Sequence, residues 1–66
     1  MKWEADISDP KTMHLEIRQD CVAGYYLFVW ENGKGVRDDL QDTLEWAMAV
    51  AHEDCGVPKD SWRQME

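Results

Sequence analysis

The sequence predicts an α+β fold: a two- or three-stranded antiparallel meander with one C-terminal helix packed on one face. Three observations carry this. Thr12 to Gln19 alternates apolar and polar residues, Tyr25 to Trp30 is an unbroken run of aromatic, β-branched and leucine residues, and Leu44, Ala47, Met48 and Ala51 recur at helical spacing.

The elements follow in chain order. Lys2 to Asp6 is short and reads as a loose strand or a disordered end. Ile7-Ser8-Asp9-Pro10-Lys11 reads as a turn, because the residue before a proline avoids the helical region. In the first strand Met13, Leu15 and Ile17 point one way and His14, Glu16 and Arg18 the other, so one face is wet. Gln19 to Gly24 carries the next turn. Tyr25 to Trp30 is apolar on both faces, which suits a central strand. Glu31-Asn32-Gly33-Lys34-Gly35 is a second turn, with Asn-Gly able to supply positive φ.

Residues 36–41 have two readings. They form a short third strand, or they open the helix, since Leu40 falls on the same helical face as Leu44, Ala47, Met48, Ala51 and Cys55. The strand is preferred because Asp42-Thr43-Leu44-Glu45 has capping-box spacing, with Asp42 as N-cap and Glu45 at N3. The helix then runs to about Cys55 and stops at Gly56, with Pro58 beyond. Asp60-Ser61-Trp62 reads as a last turn with its Trp packed back on the body. The whole is one domain over residues 1–66, with 1–11 the loosest part.

The second half resembles a group of small uncharacterised bacterial β-β-β-α proteins. The resemblance rests on Tyr25–Trp30, Asn32-Gly33, the helix start Asp42-Thr43-Leu44-Glu45-Trp46-Ala47, the end Glu53-Asp54-Cys55-Gly56-Val57, and Trp62. Cys55 stands where that group usually has an aromatic. The resemblance implies a third strand rather than a longer helix, and it implies no activity.

Composition bounds the function. A chain of 66 residues can bury only about 60% of its surface, enough for one small core. Hydrophobic residues at 44%, including four Trp, exclude a disordered tail. A net charge of −7 argues against a nucleic-acid partner and an anionic membrane surface. The N-terminus has no apolar h-region, and the longest apolar run, Trp46 to Ala51, is far short of a membrane span. A cytoplasmic protein is expected, with Cys21 and Cys55 as thiols.

No catalytic residue, metal site or cofactor is read from the sequence. His52 and Cys55 are neighbours on the helix, and His14 and Cys21 lie elsewhere, but no zinc-ligand spacing is present. Nucleophilic catalysis needs a base beside a thiol, and no motif marks one. Two features point to binding instead. Asp38, Asp39, Asp42 and Glu45 cluster before and at the helix start, as a solvated face or as a docking surface for a basic partner. Tyr25–Trp30 exceeds what one helix covers, so either Trp62 and the N-terminal segment close the second face or another chain does.

The leading expectation is a small acidic interaction module that is not an enzyme and forms a homodimer or binds a protein partner. Its apolar anchors are Tyr25, Leu27, Val29, Trp46 and Trp62, or the opposite strand parity Tyr26, Phe28 and Trp30. The alternatives are an immunity- or antitoxin-like inhibitor whose Asp38, Asp39, Asp42 and Glu45 meet a basic partner, and a small metal- or thiol-dependent protein.

Overall fold

The computed structural model describes residues 1–8, 11–22 and 24–65. The chain runs β1 (Lys2–Ile7), β2 (Met13–Asp20), β3 (Gly24–Glu31), β4 (Lys34–Gln41), α1 (Leu44–Cys55) and β5 (Arg63–Gln64). The class is α+β with one helix, but the sheet is larger than the two or three strands expected. Four strands form an antiparallel meander, the fifth pairs with β1, and the order is β4-β3-β2-β1-β5. The turn expected around Asp9 and Pro10 falls outside the described residues.

The extra strands have local causes. In β1, Trp3, Ala5 and Ile7 alternate with Lys2, Glu4 and Asp6, and the strand pairs with β2 from Lys2↔Arg18 to Ile7↔Met13. The N-terminal segment is therefore a paired strand, the first of its two readings. β4 holds the segment left ambiguous in the sequence, pairing from Tyr25↔Gln41 to Glu31↔Lys34 with a register shift between Val29 and Trp30. Asn32 and Gly33 have φ of 52° and 81°, the two positive values that a two-residue hairpin turn of matching twist requires.

Helix α1 begins one residue later than its capping pattern suggests. Thr43 is the N-cap, and its side chain accepts from the Trp46 N–H at 3.0 Å, so Asp42 lies outside. The helix ends as expected at left-handed Gly56 (φ 75°), whose N–H bonds His52 O while the Val57 N–H bonds Ala51 O. That reversal drives Val57 fully into the core.

One face of the sheet is covered. Trp3, Ala5, Met13, Leu15, Ile17, Leu27 and Val29 are buried together with Ala47, Ala51 and Val57. The two alanines let the helix lie close to the strands. Trp62 packs on this same cluster, with its indole Nε1 buried and without a hydrogen-bond partner among the described residues. Neither Trp62 nor the N-terminal segment folds over the second face. No described helix is long and apolar enough to cross a membrane.

Candidate functional site: the open face of the sheet

The second sheet face carries side chains of the opposite parity, and it divides into two halves. β3 supplies an aromatic ladder. The Tyr26 and Phe28 rings stack at 6.0 Å, and Phe28 and Trp30 lie 6.0 Å apart. Two-residue spacing along one strand puts them on one side, while Leu27 and Val29 go to the core. Trp30 lies over Gly35 of β4, where a side-chain carbon would sit 3.6 Å from its indole. Leu40, directly opposite Tyr26, is 47% exposed and widens the apolar strip. Beside the ladder, at the register shift, an open depression of about 440 Å³ is lined by Phe28, Trp30, Val36 and Asp38 among others.

The β1–β2 half is charged and internally paired. His14 lies between two carboxylates, with Nδ1 2.7 Å from Asp6 and Nε2 3.1 Å from Glu16. Arg18 forks onto the other Glu16 oxygen at 2.8 and 2.9 Å. Lys2 reaches Glu4 at 3.4 Å, and Arg63 reaches Asp6 at 2.7 Å. Burial opposes the charged form of His14, but its bonds to Asp6 and Glu16 outweigh that and hold its pKa above the ordinary value. Burial likewise pushes Glu16 up, and the Arg18 and His14 bonds overcome it and bring it below the usual carboxylate range. Arg63 first, then His14, lower Asp6. The two halves touch where Arg18 sits 5.2 Å over the Phe28 ring and His14 lies 5.5 Å from Trp30.

The residues singled out in the sequence are distributed as follows. Leu27 and Val29 are 0% and 2% exposed, so they hold the core and offer nothing to a partner. Tyr25 is half-buried on the core side, 6.0 Å from Trp3, and Trp62 is half-buried there as well. The parity on the open face is therefore Tyr26, Phe28 and Trp30, each of them half-buried. Trp46 is 61% exposed on the helix, away from the ladder. The four acids do not form one surface. Asp38 stands opposite Phe28 on the open face. Asp39 lies on the helix side, paired with Arg37, which also reaches Asp54 at 2.8 Å. Asp42 and Glu45 are exposed at the helix start.

The thiol and imidazole groups do not converge. Cys21 is exposed in the β2–β3 turn, His14 faces Trp30, and His52 Nδ1 lies 3.1 Å from Val57 O. Burial pushes the Cys55 thiol pKa up, which disfavours the thiolate. The charged half was missed because its residues come from separate strands, with even Asp6 and His14 eight residues apart in sequence. The alternation of Lys2, Glu4 and Asp6 was the available signal. No protein-family model, curated protein or solved structure matches the chain.

Proposed function

We propose that this protein is a non-enzymatic interaction module that works as a homodimer, with the open sheet face of one copy against that of another. The carrying observation is the Tyr26–Phe28–Trp30 ladder, half-buried on a sheet face that neither the helix nor the described N- and C-terminal segments cross. Contiguous aromatic patches on small soluble proteins mark contacts.

Charge selects a second copy over a basic partner. Lys2, Arg18 and Arg63 interleave with Glu4, Asp6 and Glu16, so the face as a whole carries mixed charge rather than the acidic surface a basic protein would need. The acid excess lies elsewhere, at Asp42, Glu45, Glu53, Asp54 and Asp60, all exposed. Two copies of net charge −7 can meet here with those groups held apart. Area agrees. Four strands at about 4.8 Å spacing and eight residues at about 3.3 Å give a face of roughly 500 Å², or about 1,000 Å² for the pair, the lower limit of a stable interface. The inhibitor reading is weaker, because its four acids are divided between the two faces and the helix start. A cytoplasmic setting fits two unpaired thiols.

The test is sedimentation equilibrium of the wild type and two strand variants. Leu27→Asp should unfold the chain. Phe28→Lys, flanked across strands by Glu16 and Asp38, should fold as a monomer. A wild-type mass of one chain at high micromolar concentration overturns the dimer and leaves the ladder to a different partner.

A further inference from the structure

We propose that the charged half of the open face is a divalent-cation site of the zinc class, with Glu4, His14 and Glu16 as ligands and Asp6 as the residue that positions His14. The cluster lies on the β1–β2 half of the face that the proposed dimer buries, so the zinc titration is run at protein concentrations both below and above those of association, which separates failure of the site from burial by a second copy.

One ligand atom from each of the three side chains lies within 4.8 Å of the other two. Ligands about 2.0–2.2 Å from a tetrahedral zinc ion stand about 3.3–3.6 Å apart, so pairs up to 4.8 Å apart close on an ion by drawing in by up to about 1.5 Å, within reach of rotations of the two Glu side chains. The groups are fixed on paired strands. Glu4 and Glu16 are directly opposite in the β1–β2 register, and His14 is two residues from Glu16 on the same face.

The surrounding bonds leave the inward atoms facing one another. Asp6 takes the Nδ1 side of His14 at 2.7 Å, the carboxylate–histidine arrangement that fixes a ligand imidazole and presents Nε2. Arg18 takes Oε1 of Glu16, which leaves Oε2 turned toward that Nε2 at 3.1 Å. Lys2 Nζ lies 3.4 Å from Glu4 Oε2. This is more than a run of surface acids. Like charges directly opposed on adjacent strands are unfavourable, and Glu4 opposite Glu16 is such a pair. A cation between them converts that repulsion into attraction. One imidazole nitrogen and two carboxylate oxygens suit a borderline divalent ion such as zinc or cobalt.

The experiment is calorimetric titration of chelator-stripped protein with zinc, with the imidazole ¹⁵N spectrum recorded alongside. The wild type should take one equivalent, with the His14 Nε2 resonance shifting and those of His52 unmoved. His14→Ala should abolish that equivalent. Asp6→Asn should weaken it about 10–100-fold while leaving the stoichiometry unchanged. Glu16→Gln should weaken it also, whereas Glu53→Gln should not. Circular dichroism establishes that each variant is folded. Should His14→Ala not fold, the Asp6→Asn weakening and the His14 Nε2 shift decide the matter. Absence of saturable binding by the wild type overturns the site. So does binding that survives His14→Ala, or that is lost in Cys21→Ser.

Discussion

Thr43 and Asp42 show how finely a helix start is set. Both residues can cap, and the sequence places them side by side, so spacing alone favours Asp42 with Glu45 as its reciprocal partner. The structure turns on one hydroxyl, Thr43 Oγ1 on the Trp46 N–H. Glu45 then sits in the first turn, where its charge suits the helix dipole. Thr43→Ala should therefore lower stability by about 1 kcal/mol in urea melts, and Asp42→Ala should cost much less. The reverse order would return the cap to Asp42. The thiols divide in the same residue-level way. Cys21 is exposed in a turn, while burial disfavours the Cys55 thiolate. Mildly alkaline labelling with a thiol reagent should modify one site quickly and the other slowly, and Cys21→Ser should remove the fast phase. Two equal rates would mean that Cys55 is more open than its packing indicates.

At the scale of elements, legibility followed apolar content. β3 was plain because all six residues from Tyr25 to Trp30 are strand formers, and the helix end was plain because Gly56 is the left-handed stop. β4 was ambiguous because an edge strand needs few apolar residues, and Leu40 happens to continue the helical stripe. Pairing with β3 decides it. β1 was undervalued because three inward residues in a six-residue segment are a weak signal until β2 is beside them. The β3–β4 pair also has a point that composition does not show. Gly24 has φ of 123°, and a side-chain carbon there would meet Gln41 O at 2.5 Å. Gly24→Ala should cost more than about 1 kcal/mol, since both backbone strain and the clash oppose it. Gly33 has positive φ too, but open space around it, so Gly33→Ala should cost less. Equal midpoints for the two variants in denaturant would show that β4 yields freely at Gln41.

The sequence made it legible that the molecule has more apolar strand surface than one helix covers. It left the exposed parity open, because parity depends on which side of β3 the helix lands, a long-range choice that no local pattern encodes. With Leu27 and Val29 inward, the ladder of Tyr26, Phe28 and Trp30 faces out, and the proposed dimer makes stability a function of concentration. If two folded chains dissociate as they unfold, each tenfold rise in protein adds about 1.4 kcal/mol per dimer, or about 0.7 kcal/mol per chain. For a domain of this size 1 kcal/mol moves the melting temperature by about 4–8 °C, so each decade should raise it by roughly 3–6 °C. Phe28→Lys should melt at one temperature whatever its concentration. The comparison separates self-association from plain destabilisation, because a variant that only weakens the monomer fold lowers the wild-type curve without flattening it. A wild-type melting temperature that holds constant over two decades would mean that the face is bare in solution at those concentrations.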